Sequence, residues 1–295
     1  MLSTGEFAAL RSVGFEPVGL VMGSAVYHVA YYGPYGDCFD CRYADAGRYG
    51  RGYYPSAVAL SGTGAPSAAL VQVLDTARRT AIGRMATECA ALGGDGVVAA
   101  QLTMVPFPSA PNCLEFKVIG TAVRAAGPIR PRWPFTSHLD GLGFAKLVTA
   151  GWVPVQLLVG MSVGVRHDDY QTLQQKRSRV NREMHGWSEL IRRVRADART
   201  QLSLQVAGYG ADGVILADAA LRHWEQPCPR VRGEEEQVDH ITDCLMIGTA
   251  IARFAATPSA AGTLSVLSLK RDDSDGEAER LRHRLAQAVA GRQAH

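Results

Sequence analysis

The chain has 295 residues, of which 47% are apolar and 20% charged, and its formal net charge is +3. These values are ordinary for a globular protein, and the length suits about two domains. The small net charge gives no argument for a polyanionic partner, and the longest apolar run, residues 153–165, falls short of the roughly 20 residues that span a bilayer.

The first half predicts a strand, a long Gly- and Tyr-rich loop, a helix and two antiparallel strands, at residues 18–29, 33–64, 66–93, 97–105 and 114–123. The helix is predicted because Leu74, Ala81, Met85, Cys89 and Leu92 recur at helical spacing on one face. A pair of glycines, Gly93 and Gly94, is expected to end it.

The second half predicts a strand, a helix and two more strands, at residues 155–165, 187–209, 214–221 and 241–252. A basic, Gln-rich insertion at residues 171–183 replaces the glycine-rich loop, and its start is expected to be helical. Residues 257–262 have the composition of a linker. The tail predicts a strand at 264–269 and a short helix that Ser274 and Glu277 cap.

Three blocks recur in the same order, pairing residues 14–23 with 151–160, 77–98 with 194–215, and 119–123 with 247–251. Such self-similarity indicates a tandem duplication. The predicted fold class is therefore α+β, with a β-α-β-β module in two copies, each a three-stranded antiparallel sheet packed on one helix. The predicted domains are residues 1–130, residues 131–255, and a linker and tail at 256–295.

Each predicted helix ends in a glycine-aspartate turn before a valine-rich strand, and a Gly-Thr-Ala strand follows. The sequences are Ala-Leu-Gly-Gly-Asp-Gly-Val-Val at 91–98 with Gly-Thr-Ala-Val at 120–123, and Gly-Ala-Asp-Gly-Val-Ile at 210–215 with Gly-Thr-Ala at 248–250. This twice-repeated pattern resembles the YbjQ-like family of heavy-metal-binding proteins. The resemblance implies a small dodecin-like fold that assembles into rings, usually pentameric. It implies no established activity and supplies no catalytic or ligand residues.

Cys38 and Cys41 form a CxxC pair in the glycine-rich loop, beside Asp37 and Asp40. Two thiolates at this spacing can hold one soft cation such as zinc or copper(I). A structural zinc site needs four ligands, so another subunit or His28 would have to supply the rest. Thiol redox chemistry and a loop without chemistry are the alternatives.

Two other motif matches predict structure rather than chemistry. Residues 208–213 match GxGxxG, but the helix precedes the glycines, so a helix C-cap is expected and not a phosphate site. Residues 160–164 match GxSxG, yet Ser162 falls inside a predicted strand, and the first copy has alanine in its place. Cys89 lies on the apolar helix face and is expected in the core.

Two surfaces are candidates for partners. The Tyr- and Arg-rich residues 31–54 suit a protein interface, and the arginines of residues 176–199 predict a basic helix face. Neither gives a strong signal for nucleic acid or membrane. Because no signal peptide precedes the chain, a cytoplasmic location is expected, with the six cysteines reduced. The sequence thus predicts a non-enzymatic, oligomeric binding or scaffold protein that takes a partner, a metal or a small ligand, and the family resemblance implies a ring-shaped assembly. The alternative is a thiol redox or metal-dependent protein acting through Cys38 and Cys41.

Overall fold

The computed structural model describes residues 2–29, 58–110, 112–128, 130–168, 170–227, 238–254 and 267–268. Both helices and strands occur along these ranges, which confirms the α+β class. The elements are α1 (Thr4–Ser12), β1 (Phe15–His28), β2 (Ala59–Leu60), a 3-10 turn (Ser61–Thr63), α2 (Ser67–Ala91), β3 (Gly96–Pro106), β4 (Cys113–Ala125), β5 (Phe135–Thr136), α3 (Gly141–Thr149), β6 (Trp152–His167), α4 (Tyr170–Lys176), α5 (His185–Gly208), β7 (Gly213–Pro227), β8 (Val238–Arg253) and β9 (Leu267–Ser268).

Two sheets form, with strand orders β1-β4-β3-β5 and β2-β6-β8-β7-β9. The three long strands of each sheet are antiparallel, as the alternating apolar pattern predicts. The sheets have four and five strands rather than three, because the two-residue strands β5, β2 and β9 add to their edges. Such short additions carry no sequence pattern of their own.

Helices α1 and α3 precede the first long strand of each sheet, and the sequence reading missed both. Each begins at a side-chain cap, where Ser3 accepts the N–H of Glu6 and Asp140 accepts the N–H of Gly143. The two helices pack on each other so closely that a Cβ on Gly141 would lie 2.6 Å from the Glu6 carbonyl oxygen. At nine residues each, they are too short for periodicity to reveal them.

Each long helix lies directly on the first strand of its own sheet. A Cβ on Gly23 would lie 2.0 Å from the Ala81 carbonyl oxygen, and one on Gly160 would lie 2.5 Å from that of Ala198. Glycine is required at both positions, because any side chain would meet helix backbone. These two contacts occupy matching places in the repeated sequence blocks.

The turn after each long helix is built alike. Gly93 and Gly210 adopt positive φ angles of +72° and +63°, which end the helices as the glycine pattern predicts. The carboxylate of Asp95 accepts the N–H of Ala125, and that of Asp212 accepts the N–H of Arg253. The GxGxxG match is therefore a helix end, as expected.

Helix α2 is buried between the two sheets. One side packs on Val21 and Phe116 of the first sheet, and the other on Met161 and Val163 of the second, within one apolar cluster. The halves therefore share a core across this helix. No helix in the described ranges is long and apolar enough to cross a membrane.

Candidate functional site

The predicted metal pair, Cys38 and Cys41, lies outside the described residues. Within the described ranges, no three His, Cys, Asp or Glu side chains come together to hold a metal ion. Cys89 is fully buried in the core, as expected, and its thiol donates to the Gly96 carbonyl oxygen at 3.3 Å. Burial raises the pKa of this thiol to about 11, so it is a poor thiolate ligand. The described side chains therefore do not fit a metal centre.

Ser162 does not form a nucleophile elbow. It lies within β6, its side chain is fully buried, and its hydroxyl donates to the Asp197 carboxylate at 2.5 Å. A hydrolase serine needs an exposed hydroxyl next to a histidine base, whereas Ser162 contacts a carboxylate and the hydroxyl of Ser61. The contacts instead fasten α5 and the 3-10 turn to β6, because Asp197 also accepts the N–H of Gly62.

A buried polar network lies where β6 ends and α5 begins, and the sequence reading missed it. The ring of fully buried His240 lies 2.9 Å from Asp168 and 3.5 Å from Glu225. The Asp168 contact does not have the orientation of a hydrogen bond, and it is an ion pair only when His240 is protonated. The indole N–H of Trp187 donates to Asp168 at 3.1 Å, and its ring packs 4.7 Å from that of His240.

The network ties four elements together: β6, α5, β7 and β8. His223 stacks on His240 at 5.5 Å, and burial together with His240 lowers the pKa of His223. Arg166, 4% exposed, forms an ion pair with Glu189 of α5 at 3.5 Å. These residues are far apart in sequence, so only the β-sheet register brings them together. The burial of Arg166, Asp168 and His240 within the network indicates a structural clamp on the second half.

A groove of about 620 Å³ runs between α2 and α5 above β6. Its walls carry both polar and apolar side chains, with Gln72, Asp75, Arg79, Gln201 and Gln205 beside Val71, Met161 and Leu204. Asp75 and Arg79 form an ion pair across one helical turn at 2.8 Å. The groove has the size of a small-molecule site, but its few charges already pair with each other.

One face of the first sheet is open among the described residues. Leu20, Met22 and Val26 project from β1 on the side away from α2, and each is about half exposed. Val105 of β3 is also exposed on this face. In the strand register a polar row, Ser24, Lys117 and Thr103, lies between Met22 and Val26, so the exposed apolar side chains form two groups on this face. We call these four residues the open face.

The predicted basic helix face is present on α5. Arg192, Arg195 and Arg199 are exposed there, whereas Arg193 forms an ion pair with Glu189 at 3.1 Å. The insertion before this helix starts as α4, as predicted. The Tyr-rich residues 31–54 lie outside the described residues, as do residues 255–266 and 269–295 of the tail.

The comparisons with known proteins agree with the sequence pattern. A YbjQ-like family model, described as "Putative heavy-metal-binding", matches residues 58–126. The chain is also 30% identical over 232 residues to the encapsulin nanocompartment protein Rv1762c of Mycobacterium tuberculosis, a match that covers 76% of this chain and 78% of that protein. The first match spans β2 to β4, so it falls on the repeated Gly-Asp turn and the Gly-Thr-Ala strand. The chain belongs to the YbjQ-like family.

Proposed function

We propose that this protein is a non-enzymatic, self-assembling binding or scaffold protein that works in an encapsulin nanocompartment. The observation that carries the proposal is the similarity to the nanocompartment protein of Mycobacterium tuberculosis, because it extends over 76% of the chain and so exceeds a single module. A cytoplasmic location belongs to the same proposal.

A tandem duplication of one module supports this reading. The two halves share a capped helix before the first long strand and a glycine where the long helix packs on that strand. Each also has an aspartate after the long helix whose carboxylate accepts a backbone N–H. Both first strands also carry a β-bulge, after Pro17 and after Pro154. We place the boundary between the copies near residue 130 and the end of the second copy near residue 255. Repetition of one unit suits proteins that build extended assemblies.

Self-association is supported by the open face. Exposed apolar side chains on a sheet cost free energy in water, at about 25 cal/mol for each Å² left unburied. Leu20 alone is 56% exposed. A partner that covers this face removes the cost, and another subunit is the partner always present.

A non-enzymatic role is supported by the burial of the groups that chemistry would need. Ser162 and His240 have fully buried side chains and are engaged by neighbouring carboxylates. Among the described residues, no nucleophile, base and orienting group meet at an accessible surface.

Metal binding at Cys38 and Cys41 is the additional proposal that the family description supports. Zinc or copper(I) would suit this thiol pair, and the thiol redox alternative uses the same two residues. Neither bears on the assembly proposal.

Sedimentation of a lysate from cells that produce the protein at its natural level tests the central proposal. We expect the chain to sediment with nanocompartment-sized particles and to leave those fractions when the shells are taken apart. Protease protection in intact shells would place it inside as cargo, and digestion would place it outside as scaffold. Recovery only in fractions of low mass would contradict the proposal.

A further inference from the structure

We infer that the groove between α2 and α5 binds one uncharged aromatic molecule that carries N–H or O–H donors, such as a hydroxyl- or amino-substituted heterocycle. The volume of the groove, about 620 Å³, lies in the range of small-molecule sites. The inference goes beyond the proposed assembly and does not depend on it.

The inner part of the groove is apolar. Val159 and Met161 of β6 line it, and because each is only 5% exposed they are its deepest side chains. Val71 of α2 continues the apolar lining on one side. A methionine sulfur makes favourable contacts with aromatic rings. This part of the groove therefore suits a flat, apolar ring.

The outer part of the groove carries two large exposed side chains from the end of α5. Leu204 and Tyr209 both line the groove, and they are 62% and 52% exposed. An aromatic ring bound between them would remove apolar surface from water, and the ring of Tyr209 offers a face for offset stacking. The exposure of these side chains supports a ligand that covers them.

Two glutamines give the groove its hydrogen-bonding character. The amide nitrogen of Gln205 donates to the Val159 carbonyl oxygen at 2.9 Å, and that of Gln201 donates to the Asp197 carboxylate at 3.3 Å. A carbonyl or carboxylate oxygen accepts hydrogen bonds, so these contacts fix which end of each amide is the nitrogen. Neither amide oxygen has a hydrogen-bond partner among the described residues. Both oxygens are acceptors, so a matching ligand carries donors.

The charges in the groove favour an uncharged ligand. Asp75 and Arg79 line one wall and form an ion pair with each other at 2.8 Å. A ligand carboxylate would lie near Asp75 and near the C-terminal end of α5, where the helix dipole is negative. A ligand ammonium would lie near Arg79. In either case a charge would lose its hydration and meet a like charge, which costs affinity.

Three probes of one shape test this chemistry on the purified full-length protein. Tryptophol is uncharged and has an indole N–H and a hydroxyl, tryptamine replaces the hydroxyl with an ammonium, and indole-3-acetate carries a carboxylate. Isothermal titration calorimetry should show one tryptophol bound per chain with a Kd of about 1 mM or lower. Tryptamine and indole-3-acetate should each bind at least about tenfold more weakly.

Variants of the lining locate the binding. Leu204→Ala and Tyr209→Ala remove exposed side chains, and each should weaken tryptophol binding at least about fivefold. Gln205→Met keeps the size of the side chain but removes the acceptor oxygen, and a similar loss is expected. Leu142→Ala, at an exposed leucine of α3 outside the groove, is the matched control and should leave the Kd unchanged. Thermal unfolding without ligand would verify that each variant is folded.

The outcomes separate this inference from the proposed function. Absence of saturable tryptophol binding up to about 10 mM overturns the inference, as does equal or tighter binding of either charged probe. Equal losses in Leu204→Ala and Leu142→Ala overturn the location in the groove. None of these results bears on self-assembly, and a monomeric protein that binds tryptophol as described would overturn the assembly proposal alone.

Discussion

Arg78 and Met161 join the two halves of the molecule, with the guanidinium Nη1 of Arg78 3.4 Å from the Met161 sulfur. The arginine is 2% exposed, and burial lowers its pKa to about 10 although Asp75 and Asp243 oppose that change. It remains charged at neutral pH inside a largely apolar cluster. The chain therefore keeps a buried charge where its two halves meet.

Replacement of Arg78 tests this junction. Arg78→Ala removes the buried side chain and leaves a cavity between α2 and β6, so we expect a loss of about 2–3 kcal/mol in the free energy of unfolding. Urea denaturation would measure it. Arg79→Ala is the matched control on the same helix, because Arg79 is exposed and pairs with Asp75 across one helical turn, and it should change stability by less than about 0.5 kcal/mol. Equal effects would contradict the burial of Arg78 between the halves.

The close contact between β1 and α2 at Gly23 predicts that any larger residue at this position destabilises the protein. Gly23→Ala would force a methyl group onto the Ala81 carbonyl oxygen and the Met85 nitrogen, both backbone atoms of α2. We expect a loss of about 2–3 kcal/mol, seen as a lower urea midpoint. Gly83→Ala lies in the open on the same helix and should stabilise the protein by up to about 1 kcal/mol. A neutral Gly23→Ala variant would exclude the close approach.

His138 predicts a dependence of stability on pH. Burial lowers its pKa from 6.5 to about 4, while Asp140 partly opposes this. Above pH 6.5 the ring is neutral in the folded and unfolded states. Between pH 6.5 and about 4 only the unfolded state takes up the proton. The free energy of unfolding therefore decreases as the pH is lowered through this range. A pKa lowered this far is worth at most about 3 kcal/mol, and since the ring is partly exposed we expect about half of that.

His138→Gln should flatten this part of the curve of unfolding free energy against pH. His223, whose pKa is also lowered, keeps a smaller slope of the same sign in the variant. His185→Gln, at an exposed histidine, is the control and should leave the slope as it is. An unchanged slope in His138→Gln would mean that the pKa of this ring is the same in the folded and unfolded states.

The cysteine pair makes a prediction about bound metal. If Cys38 and Cys41 hold a soft cation, protein purified under reducing conditions carries zinc or copper, and the double variant Cys38→Ser/Cys41→Ser loses it. Elemental analysis by mass spectrometry measures the ratio of metal to chain. Cys113→Ser, at a half-buried thiol of β4, should keep the metal. Metal-free wild-type protein would remove the metal proposal and leave the assembly proposal untouched.

The sequence predicted the long elements because their patterns are regular. The helix with Leu74, Ala81, Met85 and Cys89 on one face is α2, and its end at Gly93 follows from the positive φ that glycine allows. The same logic placed Cys89 in the core and Ser162 inside a buried strand. Periodicity identifies elements that are long enough to repeat their burial pattern.

The sequence could not predict what depends on packing between distant segments. The network around His240 of β8 needs Trp187 of α5, Glu225 of β7 and Asp168 after β6, so it depends on strand register and on the packing of α5 against the sheet. The packing of α2 against both sheets could not be predicted either. An arginine such as Arg78 within a helix is usually exposed to solvent, so its sequence did not indicate burial. The exposure of Leu20 on the open face was not predictable either, because the sequence of a strand does not show which of its faces another element covers.

Native mass spectrometry of the protein under reducing conditions tests the proposed self-assembly, the central claim, most directly. We expect a discrete homo-oligomer, and any bound metal would appear as added mass in the same spectrum. A monomer at every concentration measured would contradict the claim.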